Sequence, residues 1–453
     1  MKLRFGLVLS LVGAVSVPVV LGWPSPASAV GKIDDGDKRC FAVAGSPGDV
    51  ALVNLTPVEA EGLGNGQLVS SDVNNTPLAS NVNFGANTFD PNVAAAPIGA
   101  DGQVCYLNSN NTRTHLVADH LGTLDADIYQ PATNSGVAKR LVDTRPGSSK
   151  IQAGGRLCFA VAGSPGDVAL VNLTPVEAEG LGNGQLVSSD VKNTPLASNV
   201  NFGANTFDPN VAAAPIGADG QVCYLNSNNT RTHLVADHLG TLDADIYQPA
   251  TNSGVAKRLV DTRPGSSKIQ AGGRLCFAVA GSPGDVALVN LTPVEAEGLG
   301  NGQLVSSDVK NTPLASNVNF GANTFDPNVA AAPIGADGQV CYLNSNNTRT
   351  HLVADHLGTL DADIYQPATN SGVAKRLVDT RTEAPPPTTT TTPPATTTTT
   401  TVPPSCDPSY PTVCIPPPPP DLNCGDITHR NFVVLQPDPH NFDGNNDGIG
   451  CVG

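Results

Sequence analysis

The chain has 453 residues and a formal net charge of −16, and it is poor in aromatic residues at 4%. An acidic chain of this kind repels phosphate backbones, so nucleic acid is excluded as an expected partner. Beyond the N-terminus no apolar stretch is long enough to span a membrane, and no transmembrane anchor is expected.

Met1, Lys2, Leu3 and Arg4 form a short basic region, and residues 5–21 are apolar apart from small residues and Pro18. This reads as a signal peptide over residues 1–29, cut after the small-x-small pattern Ala27, Ser28, Ala29. The expected location is therefore secreted, extracellular or associated with the cell wall. All ten cysteines follow the cut, and an even count in an oxidising compartment implies five disulfides.

The dominant feature is an internal repeat of 118 residues, visible in the spacing of Cys40, Cys158 and Cys276 and of Cys105, Cys223 and Cys341. Residues 150–263 and 268–381 are identical copies. The first copy departs inside its body only at Asn74, where the others have Lys192 and Lys310. A unit of this length is domain-sized, so the expectation is three globular beads at residues 30–149, 150–267 and 268–381, each with its own core.

In chain order each unit carries the β-prone runs CFAVAG (40–45), DVALVNLTPV (49–58), GQLVSSDV (66–73), VCYLNS (104–109) and HLVADHLG (115–122). The turn signals SPGD, GLGNG, ADG and NSNN separate them, which predicts an all-β fold of sandwich or barrel type. Residues 92–97 are small and ambiguous and could hold a helical turn. RLVDTR follows each body, at residues 140–145, 258–263 and 376–381, and no copy precedes the first. It is read as the last strand, closing the body before it, so truncation at Val373 is expected to destabilise the third unit alone.

Two cysteines in each unit suggest Cys40 with Cys105, Cys158 with Cys223 and Cys276 with Cys341. Each would close a loop worth roughly 4 kcal/mol in the chain-entropy model. Pairing between neighbouring units is the alternative, and it leaves Cys40 and Cys341 to find each other.

Residues 382–405 turn to threonine and proline, a composition that builds no core and predicts a disordered stalk. The stalk is taken to run over 382–420, with a small disulfide loop at Cys406 and Cys414, before a final module at 421–453 bracketed by Cys424 and Cys451. That module contains Asp443, Asn445 and Asp447 at loop positions 1, 3 and 5, Gly448 at 6 and the carbonyl of Ile449 at 7. Oxygen ligands in this pattern suit calcium, the one cofactor expected. The twelfth position falls at 454, so further ligands must come from water, the terminus, Asp438 or Asp426, and binding should be weak, about 10⁻⁴ to 10⁻³ M.

Together NCGDI (423–427), PDPH (437–440) and FDGNNDGIGC (442–451) resemble the excalibur family of extracellular calcium-binding domains. The resemblance implies calcium held by Asp443, Asn445 and Asp447, with Cys424 and Cys451 as a clasp. Val452 stands where the family usually has Glu. RLVDTRPG, DVALVNLTPV, SNVNFGAN, ADGQVCYLN and HLVADHLG are similar to an accessory domain of secreted and cell-wall proteins of high-GC Gram-positive bacteria, which carries no catalytic residues to transfer.

Other polar residues are read as structural. His115 and Asp119 would share a strand face with His120 opposite, so one site cannot easily gather all three. Glu59 with Glu61 and Asp125 with Asp127 imitate a glycosidase pair but read as solvated strand-end charges. AGSPGD (44–49) lacks the Lys-Ser/Thr of a phosphate loop, and no GxSxG, SxxK or HExxH pattern occurs. No enzyme is expected. The leading reading is a structural or adhesive calcium-binding surface protein, with cell-wall or surface glycans or proteins as partners. A carbohydrate-binding accessory protein is the alternative, weakened by the absence of Trp after the signal, and a secreted hydrolase is the third.

Overall fold

A computed structural model describes residues 31–382 and 406–452, apart from 75–78, 110–111, 134–136, 148, 193–196, 227–229, 252–254, 266, 311–314, 345–347, 370–372 and 446. The expected signal peptide at 1–29 and the Thr/Pro run at 383–405 lie outside the described residues. The described chain is all-β and falls into two units divided between Pro386 and Pro387.

Nine strands recur in each repeat. In the first they are β1 Lys38–Ala42, β2 Val50–Val58, β3 Gly64–Ser70, β4 Val82–Phe84, β5 Asn92–Pro97, β6 Gln103–Ser109, β7 His115–Leu124, β8 Tyr129–Pro131 and β9 Lys139–Asp143. The second and third repeats follow as β10–β18 and β19–β27. They include β11 Val168–Val176, β13 Val200–Phe202, β16 His233–Leu242, β18 Lys257–Asp261, β20 Val286–Val294, β25 His351–Leu360, β26 Tyr365–Pro367 and β27 Lys375–Asp379. Residues 92–97, which could have held a helical turn, are strand β5: paired with β2, their small side chains let two sheet faces approach closely.

Each body is a sandwich of two antiparallel sheets, one ordered β1-β6-β3-β4 and one built on β5-β2-β7. A disulfide joins the adjacent, paired strands β1 and β6 of one sheet through Cys40 and Cys105, and Cys158–Cys223 and Cys276–Cys341 do the same in the other bodies. Side chains of β2 alternate. Ala51, Val53 and Leu55 enter the sandwich with Leu68, Val104 and Tyr106, whereas Val50 and Leu52 face the other way into a second cluster. That second cluster contains the matching residues of all three repeats, around a cavity of about 30 Å³ lined by Leu52, Leu170, Leu288 and their neighbours. Strand β2 is buried on both faces, so apolar residues sit on both, with Asn54 and Thr56 as buried polar exceptions on one face.

The RLVDTR segment does form a strand, but it does not close the body before it. Strand β9 pairs with β16 of the second body, β18 with β25 of the third, and β27 returns to β7 of the first. The short strand before it crosses in the same way, with Tyr129 opposite Leu242 and Tyr365 opposite Leu124. The repeats are therefore a closed cycle of exchanged strands rather than separate beads. Truncation at Val373 would strip the first body of this strand rather than the third. A Cβ on Gly122 would meet the ring of Tyr365 at 2.3 Å, so the crossing strand lies against a position that a side chain would fill.

Polar contacts repeat the cycle. Arg140 pairs with Asp237, Arg258 with Asp355 and Arg376 with Asp119, each arginine adding a second bond of 3.3 Å to a carboxylate that is fully buried. Asn92 donates to Asn172, Asn210 to Asn290 and Asn328 to Asn54, all at 2.8 Å. Asn92, Asn210 and Asn328 also donate to a carbonyl of their own body, and the bonds across the joints specify the joints as well as bury them.

Candidate functional site

In the C-terminal unit, described by itself, the small core is aromatic. Tyr410 and Phe442 have ring centroids 5.2 Å apart, with Phe432, Val434 and Ile415 around them. Tyr410 lies inside the loop closed by Cys406–Cys414 and Ile415 directly follows it, so this loop packs with the module and not with the stalk, and the module begins earlier than residue 421. It supplies Tyr410, whose ring packs against Phe432, His440 and Phe442. Cys424–Cys451 ties the other side, and the strands Phe432–Val433 and Ile449–Gly450, β28 and β29, pair across it.

This frame curls residues 443–449 around one carboxylate. Asp443 is buried; its Oδ1 accepts from the N–H of Asp447 at 3.1 Å and its Oδ2 from the N–H of Gly448 at 2.8 Å. Gly448 has φ +85, which the sharp turn requires and a side chain resists. Asp447 Oδ1 accepts from Ile449 N–H at 2.9 Å, and Asn445 donates its Nδ2 to Asp447 Oδ2 at 2.8 Å, which leaves the Asn445 carbonyl oxygen outside that bond. Sequence position thus translates into proximity: Asp443, Asn445 and Asp447 are on one turn. Asp438 supports it from below, accepting from the Asp443 N–H at 2.8 Å and from the Tyr410 hydroxyl at 2.7 Å. Partial burial works against its charge, but the Tyr410 hydroxyl and the nearby backbone N–H groups outweigh this and hold the carboxyl below its ordinary value. Asp426 instead accepts from the Asn423 N–H in a turn of its own.

The loop offers two carboxylates, an amide oxygen and backbone carbonyls, all hard oxygen donors, which fits calcium. Among the described residues no group of three or more His, Cys, Asp or Glu is gathered for a metal.

The recurring histidines and acids of the repeats are tied up in packing. His115 Nδ1 bonds Thr380 of the crossing segment at 3.1 Å, His120 Nε2 bonds Thr123 at 3.1 Å, and Asp119 holds Arg376. Asp119 lies mid-strand in β7 and anchors the crossing segment of another repeat. Burial pushes the His120 imidazole down to about 4, so it is neutral at neutral pH. Glu61 is exposed and bonded to Lys32, Asp125 accepts from the Asp127 N–H in a turn, and Asp49 closes the SPGD turn on Ser46 at 2.7 Å.

Sequence reasoning missed a cleft between the second and third bodies, of about 870 Å³. Leu181, Asn183, Asn201, Phe202 and Asp208 line it from one side; Thr292, Val294, Phe325 and Asp326 line it from the other, with Arg258 and Arg263 of the crossing segment. Asn201 donates across it to the Phe325 carbonyl at 3.2 Å, and the same bond recurs from Asn83 to Phe207 and from Asn319 to Phe89. Burial raises Asp326 to about 6, helped by Asp208 and opposed by the Thr324 hydroxyl. The exposed Leu63, Leu181 and Leu299, each in a GLGNG turn, were the available signal.

No family model and no curated protein matches the chain. Among solved structures it is similar to a chain of "Crystal Structure of the STIV MCP", at 8% identity and TM-score 0.23, over 49% of this chain and 96% of that one. It is also similar to chains of "Life in the extremes: atomic structure of Sulfolobus Turreted Icosahedral Virus" (10%, TM-score 0.19) and "The Triple Jelly Roll Fold and Turret Assembly in an Archaeal Virus" (9%, TM-score 0.17). Each of these two spans 72% of this chain and 85% of the other. Likenesses this distant carry no argument about function. The chain is described by its own architecture: an all-β cycle of three strand-exchanged sandwiches, and a disulfide-bonded module whose loop gathers Asp443, Asn445 and Asp447.

Proposed function

We propose that the chain is an exported, non-catalytic protein of the cell surface or extracellular space, in which the repeats act as a rigid structural or adhesive head and the C-terminal module holds calcium. The carrying observation is the loop of Asp443, Asn445 and Asp447, curled by the bonds to Asp447 and Gly448 and fixed by Cys424–Cys451. Asp443, Asn445, Asp447 and the Ile449 carbonyl would hold the ion, which would neutralise the two carboxylates and stiffen the turn.

Five disulfides and no free cysteine among the described residues support an oxidising compartment, and no helix among those residues is long and apolar enough to cross a membrane. The absence of catalysis is supported by the tied state of His115, Asp119 and His120.

Calorimetric titration of calcium into the exported chain tests the reading. One site of about 10⁻⁴ to 10⁻³ M is expected, lost in Asp443→Ala/Asp447→Ala. No heat up to several millimolar calcium, the weak end of the extracellular range, would reduce the module to a disulfide-clasped cap.

A further inference from the structure

We infer that the clefts between successive bodies are binding sites for an uncharged oligosaccharide, three to a chain; this goes beyond the display and calcium reading and does not depend on it. Alternation along β20 turns Thr292 and Val294 outward into the cleft, on the same side as Asn290 at the joint. Thr292 is only 3% exposed, and its hydroxyl has no hydrogen-bond partner among the described residues. Thr56 and Thr174, at the same place in the other repeats, are in the same state. A buried hydroxyl without a partner is a standing cost, and one built three times at the floor of an inter-body cleft is suited to a ligand that supplies the partner.

The walls and the charge narrow the ligand. Leu181 and Phe325 stand 68% and 42% exposed on opposite sides, an apolar pair that would lie against the flat faces of a ring. Arg258 is held by Asp355 and Asp261, and Arg263 by Asp261, so both cations are neutralised by the protein's own carboxylates. Asp208 and Asp326 add acid. This balance disfavours phosphate or carboxylate ligands, whereas the amides and hydroxyls of the lining provide both donors and acceptors for sugar hydroxyls and acetamido groups. The volume lies in the range that encloses a small ligand. A peptide added as a strand is disfavoured, because β13 at the cleft edge is three residues long.

The test is calorimetric titration of N,N′,N″-triacetylchitotriose, an uncharged trisaccharide, into the exported chain in calcium-free buffer, with the Asp443→Ala/Asp447→Ala chain in parallel. Expected are about three equivalents bound to both proteins. Thr56→Val/Thr174→Val/Thr292→Val should keep or raise the melting temperature while weakening binding about tenfold. Leu63→Ser/Leu181→Ser/Leu299→Ser, at exposed positions, should also weaken it. No binding of this trisaccharide or of cellotriose at several millimolar, unchanged affinity in both cleft variants, or binding of a blocked neutral tripeptide in their place would each overturn the assignment. None of these outcomes touches the calcium loop.

Discussion

Asp90, Asp208 and Asp326 occupy equivalent places in the three repeats, and each is buried enough for its carboxyl to titrate high. Burial is the main cause at Asp90, which is raised from 3.8 to about 7. The carboxylates of Asp208 and Asp326 add to it, and the Thr88 hydroxyl opposes it. Asp326 rises to about 6 and Asp208 rises for the same first reason. A group whose folded pKa lies above its unfolded value contributes stability below the unfolded value and loses it as pH rises through the folded one. Asp90 and Asp326 should therefore weaken the repeats progressively as pH climbs from about 4 to their folded values of about 7 and about 6, with Asp208 acting in the same sense. His120, His238 and His356, lowered by burial to about 4, act in the opposite sense: their contribution is complete above 6.5 and is lost as pH falls toward 4. The two sets offset each other in the parent chain, so a difference measurement is needed. Asp90→Asn/Asp208→Asn/Asp326→Asn should gain melting temperature over the parent progressively from about pH 4 to about pH 8 by scanning calorimetry. A constant difference across that range would show that these carboxyls are solvated.

At the scale of the element, the decisive fact is which body a strand joins. Deleting residues 374–381 removes β27, uncovers one edge of β7 and leaves Asp119 buried without Arg376, a loss of about 3 to 5 kcal/mol. Hydrogen exchange should then accelerate most in residues 115–124 of the first body, whose paired edge is lost, while 233–242 and 351–360 follow only the shared loss of global stability. Acceleration concentrated at 351–360 instead would restore the reading in which the strand serves its own repeat. The strands themselves were legible in the sequence: VALVNLTPV is β-prone throughout, and RLVDTR was recognised as a strand. Its destination was not, because the repeats are almost identical and Arg376 finds the same aspartate, with the same neighbours, in any of them. Chain connectivity and the joints decide between equivalent partners, and neither is written in a local pattern. The same limit hid the cleft, whose two walls come from different repeats. The loop of Asp443, Asn445 and Asp447 was legible because its donors lie within five residues. The packing of Tyr410 against Phe442 was not, since it bridges a proline run whose composition gives no register.

At the scale of the whole repeat assembly, the exchange of strands makes the three bodies one thermodynamic object. Their shared cluster takes Val50, Leu52, Val93, Ala95 and Leu121 from the first body and the matching residues from the others. Separate beads would instead bury such residues within each sandwich and leave the joints wet. Asn92 with Asn172, Asn210 with Asn290 and Asn328 with Asn54 then make any two bodies incomplete without the third. Cooperative unfolding of residues 31–382 follows, and a single substitution can expose it. Leu52→Ala enlarges the cavity already lined by Leu52, Leu170 and Leu288 and should cost about 3 kcal/mol. Because the cavity belongs to all three bodies, the thermal transition should move as a whole, and exchange should quicken in 168–176 and 286–294 as much as in 50–58. Beads with private cores would confine the damage to residues 50–58 and split the transition, because only a shared core passes a loss in one repeat to the other two.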